Sequence, residues 1–229
     1  MFCNLSLNSN DYYNTEDAEA IKEKSNLPDN VSLVYWDYYS TDYSHYVKMI
    51  NTNKLFVRKV YFAGGAWAWS GIAPDNRFSI KTAEAAVKAY GDYGVDGIFF
   101  TTWGDDGGEC THFTVLPSLT YAAEASRGNY DIDSIKEKFK RITDCEFDSF
   151  MLLDELSLPG GNRTEGTRAC KYILYNDLFM GLKDCLCSKD DTVFIRKHFH
   201  RPFLALSNSV KLINRVLNSF FHFIPIITQ

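Results

Sequence analysis

Three short stretches place aromatic rings, in two of them beside carboxylates, at matching points along the chain. Tyr35-Trp36-Asp37-Tyr38-Tyr39 closes the apolar run VSLVYW (31–36), and Gly64-Gly65-Ala66-Trp67-Ala68-Trp69 closes RKVYFAGG (58–65). Trp103-Gly104-Asp105-Asp106-Gly107-Gly108-Glu109 closes VDGIFFTTWG (95–104). A flat ring packs against the C–H face of a pyranose, and a carboxylate accepts hydrogen bonds from its hydroxyls. The combination fits recognition of a sugar or another polyol. In an extended strand, residues two apart point the same way, so Tyr35 and Asp37 share a face and can share a hydrogen bond. Trp103 and Asp105 stand at the same spacing around Gly104, which leaves room for ring and acceptor side by side. Any one of these residues alone reads as packing or as a turn; their repetition at three run ends points to a site.

Other chemistries lack their signatures. The chain has no GxGxxG, no GxxxxGK[ST] and no GxSxG, so neither a nucleotide cradle nor a serine nucleophile elbow is read. The cysteines are Cys3, Cys110, Cys145, Cys170, Cys185 and Cys187, without CxxC pairs, and they read as buried free thiols rather than as a zinc site. That points to a reducing, cytoplasmic setting. His198 and His200 read as loop or surface residues, and His112, just past the carboxylates, could face the site or solvent. No cofactor or metal is implied.

A shared rim requires strands that end together. The runs at 31–36, 58–65 and 95–104 predict strands, with helices at about 42–53 and 78–94 between them. Ser79 is the expected N-cap of the second helix, and Gly91 and Gly94 mark its end. Near-continuous apolar strands alternating with helices predict a parallel sheet covered on both faces, and ligands of such folds bind at the carboxyl ends of the strands. After about residue 121 the pattern turns helical: TYAAEASRG, DSIKEKFKRI, FDSFMLLDEL, 168–187 and about 203–222, with PGGNRTEG (159–166) as a loop. The expected organisation is an α/β part over 1–125, carrying the strand ends, and an α-helical region over 126–229.

The chain has 229 residues, 45% apolar and 23% charged, a globular mix long enough for a real core. Its 24 basic and 29 acidic side chains give a net charge of −5, the wrong sign for a nucleic-acid partner. Aromatic residues reach 15%. The first residues, MFCNLSLNSNDYYN, carry no signal-peptide pattern, and SFFHFIPIITQ near the end is too short to span a bilayer. No membrane partner is expected.

At these motifs the chain resembles glycoside hydrolase family 20, the β-N-acetylhexosaminidases, and within it the bacterial branch with a helical C-terminal domain. Tyr35-Trp36-Asp37 within VYWDYY resembles the family's Tyr-x-Asp strand end, and Trp103-Gly104-Asp105 within TTWGDDGGE its later Trp-Gly-acid strand end. KYILYNDLFMG (171–181) is also similar, and the resemblance covers roughly residues 1–185. It implies the C-terminal part of a (β/α)8 TIM barrel, about three parallel strands, followed by an α-helical region. It also implies substrate-assisted retention, in which the sugar's 2-acetamido oxygen attacks the anomeric carbon and no cofactor is needed; such enzymes depart from the two-carboxylate scheme. By resemblance, Tyr35 would hydrogen-bond the acetamide oxygen and Asp37 would support Tyr35. Trp103 would line the sugar subsite, with Trp69 and Trp67 as further wall. Asp105 would hold the distal hydroxyls, with Asp106 and Glu109 as runners-up.

The family's catalytic Asp-Glu pair, expected on an earlier strand, has no counterpart here. Asp11, Glu16 and Asp17 lie in polar, helix-like sequence, and the start of the chain resembles the stretch after the family's fifth strand. The expectation is therefore a hexosaminidase-like fragment lacking the general acid. Within the enzyme class, Asp37 with Asp105, Asp106 or Glu109 could instead form a two-carboxylate pair. From a different class comes a non-catalytic carbohydrate-binding or interaction protein, as a homodimer or with a complementing N-terminal chain, since open strand edges invite pairing. A degraded gene product is the remaining reading.

Overall fold

The computed structural model describes residues 18–25, 27–105, 107–156 and 180. The helices expected at 168–187 and about 203–222 and the loop at 159–166 lie outside them, Met180 apart. The fold is mixed α/β. In chain order the helices and strands are α1 (Ala18–Lys24), β1 (Leu33–Trp36), α2 (Tyr43–Lys54), β2 (Val60–Gly65), α3 (Asn76–Tyr93), β3 (Gly97–Thr101), α4 (Leu116–Ala125), α5 (Ile132–Thr143) and α6 (Phe147–Met151). A 3-10 turn precedes α4 and another follows α6.

The three strands form one parallel sheet in the order β1-β2-β3. Its register sets Tyr35, Phe62 and Ile98 side by side in one row, and Trp36, Ala63 and Phe99 in the next. Alternation sends the two rows to opposite faces. The first row enters the core, where Tyr35 and Phe62 meet Tyr46, Met49 and Ile50 of α2 and Ala86, Ala89 and Tyr90 of α3, with Ile98 and Phe100 against them. Phe62 stacks on Tyr90 at 4.4 Å; burying such a ring contributes about 1.5–3 kcal/mol. Gly64 is required in β2 because the Phe100 ring covers it, and a Cβ there would lie 2.4 Å from a ring carbon.

Both crossover helices therefore cover the same face, a correction to the expectation of a sheet covered on both. The reason is the strand order. Each crossover moves one strand along in the same direction, and crossovers of one hand then put successive helices on one side. The opposite face keeps apolar side chains in view: Val34 is 39% exposed and Phe99 45%, with Tyr61 half-buried.

Two helix starts show how local chemistry sets the elements. Asp42 caps α2, its carboxylate accepting the Ser44 N–H at 2.8 Å and the Ser44 hydroxyl at 2.7 Å, and these bonds hold its carboxyl below the usual carboxylate range. Helix α3 begins at Asn76, earlier than expected, so Ser79 is not its cap. The buried Ser79 hydroxyl accepts the Trp67 N–H at 2.9 Å instead. At the other end Gly91 stays helical, and Gly94, with φ +69°, takes the left-handed turn that closes α3, donating to the Tyr90 carbonyl at 2.9 Å.

The chain divides into two compact units: Met1–Trp67, Asn76–Trp103 and Ser118–Tyr130 form the first, and Ala68–Asp75, Gly104–Pro117 and Asp131–Gln229 the second. The sheet belongs to the first. In the second, Asp131 caps α5 through the Ser134 N–H, and Asp144 ends it in the left-handed conformation. The fully buried Phe139 packs edge-on against Phe147 at 5.4 Å and Phe150 at 5.3 Å. Lys136 and Asp148 (2.8 Å) and Lys140 and Glu146 form ion pairs around it. Cys110 and Cys145 are free and buried, and burial pushes both thiols up.

Candidate functional site

The carboxyl end of β1 is a hydrogen-bonded knot. Tyr35 Oη donates to Asp37 Oδ2 at 2.7 Å, the contact that two-residue spacing makes available. His45 Nε2 lies 2.7 Å from the same oxygen and 3.2 Å from Tyr35 Oη. The other carboxylate oxygen accepts the Tyr39 N–H at 2.9 Å. The Asp37 N–H continues the ladder to the Ala63 carbonyl at 3.1 Å. Asp37 is 2% exposed and Tyr35 4%, so both lie beneath the helices rather than on the open face. The phenol proton that the resemblance directs to an acetamide is given to Asp37 here. A carboxylate with this many donors is held firmly, since hydrogen bonds to a charged group contribute about 1.5–3 kcal/mol each.

Trp36, between these two residues, takes the opposite face. Its ring meets Trp103 edge-on, with centroids 6.1 Å apart and an interplanar angle of 67°. Trp103 follows β3 and is 37% exposed, and Trp36 is half-buried. The strand ends thus bring together two indoles on the side away from α2 and α3, with ring surface left in solvent. This pair is the part of the expected rim that could lie against a sugar.

Trp67 and Trp69 are 1% and 6% exposed. The Trp67 ring sits edge-on to Tyr39 at 5.3 Å and to Phe78 at 5.1 Å, and its Nε1–H donates to the Tyr38 carbonyl at 2.8 Å. Its observed work is packing, because a satisfied indole in the core presents no wall to solvent.

The acidic loop belongs to the second unit. Asp105 and Glu109 are exposed, and Asp106 lies outside the described residues. Gly108 donates to the Asp105 carbonyl at 3.3 Å. Gly107 has φ +106° and the Glu109 carboxylate folds over it, within 2.8 Å of where a Cβ would stand. His112 is exposed.

His45 is the residue that the sequence reading missed. A signal was present: Asp42 is a good N-cap, and His45 is the third residue of the helix it starts. In a βα unit the first turn of the helix lies beside the strand's carboxyl end. Tyr90 of α3 lies in the same core. Its hydroxyl is buried without a hydrogen-bond partner among the described residues, and burial first, then the negative charge of Asp37, push the phenol well above its usual range.

Among the described residues no group of three or more His, Cys, Asp or Glu side chains is placed to hold a metal ion, and no helix is long and apolar enough to cross a membrane. In comparison with known proteins, no family model and no curated protein matches this chain.

Proposed function

We propose that this chain is the sugar-binding, C-terminal part of a (β/α)8 barrel of the β-N-acetylhexosaminidase type, and that alone it binds an N-acetylhexosaminide without hydrolysing it. The observation that carries the reading is the Trp36–Trp103 pair at the carboxyl ends of β1 and β3, on the sheet face opposite α2 and α3. One-sided helical cover is what an arc of a closed barrel has, where helices ring the outside and the other face looks inward. The inward face then carries indole surface at the end where barrel ligands bind. Tyr35 and Asp37 act behind this surface as its support. Among the described residues no strand ends in an Asp-Glu pair, and on this reading the general acid comes from elsewhere.

Incubation of the full chain with a chromogenic N-acetyl-β-glucosaminide tests the catalytic half. The expected result is no turnover while circular dichroism reports a folded protein. Turnover abolished by Asp37→Ala or Asp105→Ala would show that the chain carries its own acid.

The exposure of Val34 and Phe99 on the same face favours a second reading, a non-catalytic interaction module. Sedimentation velocity separates the two, since this reading requires self-association or a stable partner and sugar binding does not.

A further inference from the structure

We propose that His45 is the positioning residue of the aromatic strand end: held on the buried Asp37, its Nε2–H fixes the backbone on both sides of Trp36 and so sets the indole. The proposal rests on the sugar-site reading for what Trp36 does, but not for how Trp36 is held.

Strand β1 ends at Trp36, where regular pairing alone would leave the last residue loosely fixed. Its two neighbours are instead drawn to one point. Tyr35 Oη and His45 Nε2 each lie 2.7 Å from Asp37 Oδ2, and 3.2 Å separates them from one another. The phenol donates to the carboxylate, so the knot is satisfied when His45 Nε2 carries a proton and donates too. The Asp37 side chain is 1% exposed and that of His45 23%, so water competes little at the acceptor end. His45 comes from a firm base, because the Asp42 cap orders the first turn of α2. Its ring also rests edge-on against Tyr46 at 5.5 Å. Trp36, flanked by two anchored residues, must point away to meet Trp103. His45 lies on the helix-covered side and acts through Asp37, which makes it a positioning residue rather than a catalytic one.

The test uses the full chain labelled with ¹⁵N in the histidine rings and tryptophan indoles, comparing wild type, His45→Ala and His45→Gln by NMR. Glutamine places an N–H donor where His45 Nε2 stands; alanine does not. Wild type is expected to show a His45 Nε2–H protected from solvent exchange. His45→Ala should move the Trp36 indole signal and weaken N-acetylglucosamine binding by about tenfold. His45→Gln should keep both near wild type. A merely structural histidine would lower stability in both variants without this rescue. A Trp36 signal unmoved in folded His45→Ala, or a His45→Gln that behaves like the alanine variant, overturns the proposal. If His45→Ala does not fold, His45→Gln decides: a folded protein with Trp36 in place supports the role, and a displaced or unfolded one contradicts it. If wild type ignores N-acetylglucosamine while His45→Ala still moves Trp36, the sugar reading falls and the positioning role stands.

Discussion

Asp37 shows how much one buried carboxylate can organise: a phenol, an imidazole and a backbone N–H converge on it. Tyr90, close enough to feel its charge, is the opposite case, a buried hydroxyl with no hydrogen-bond partner among the described residues. An unsatisfied buried polar group costs about 1–3 kcal/mol, so Tyr90→Phe should raise stability by about 1 kcal/mol, read as a higher urea midpoint at unchanged slope. A lower midpoint would mean that the hydroxyl has a partner. At this scale the sequence was partly legible. The Tyr35–Asp37 bond follows from spacing alone. His45 did not stand out, because one histidine in a helical stretch reads as surface until its place in the first turn is set beside the strand end. Trp67 misled for the converse reason: an aromatic just past a strand looks like a wall, and only the fold shows Tyr39 and Phe78 closing over it.

At the scale of elements, runs of β-branched and aromatic residues located all three strands and helical spacing located α2 and α3. Boundaries moved where side chains had other work, as at Ser79. Gly94 was legible as a stop, and the structure supplies the reason in its φ of +69°. A Cβ there would meet nothing within 4 Å, so the cost of Gly94→Ala is conformational only, about 1 kcal/mol. Thermal unfolding should detect it, and an unchanged melting temperature would mean that α3 ends differently. Which face each helix covers was not readable, because apolar strands look the same whether one face or two are buried against helices. Strand order decides that, and strand order is a tertiary fact.

For the whole molecule, titration adds a test. Burial raises the Tyr90 phenol far above its ordinary value of 10, and burial with nearby Glu84 pushes Tyr121 up to about 12. A group raised in the folded state contributes stability that is complete below its unfolded value and is lost as pH climbs toward the folded one. The share of stability that these two phenols carry should therefore be level up to about pH 10 and be lost above it, so that beyond pH 10 stability falls less steeply in Tyr90→Phe; an equal slope in the variant would contradict the assignment. The proposed sugar binding rests on a different property, an indole pair on the sheet face opposite α2 and α3.

The most direct test is a titration of N-acetylglucosamine into the full chain, followed on the indole N–H signals. Trp36 and Trp103 should move together and saturate, while Trp67, its Nε1 bonded to the Tyr38 carbonyl in the core, stays in place. Trp103→Ala, at a position 37% exposed, should leave the fold intact and weaken binding roughly tenfold. If no indole moves, or if Trp103→Ala binds as well as wild type, the strand ends are not a sugar site.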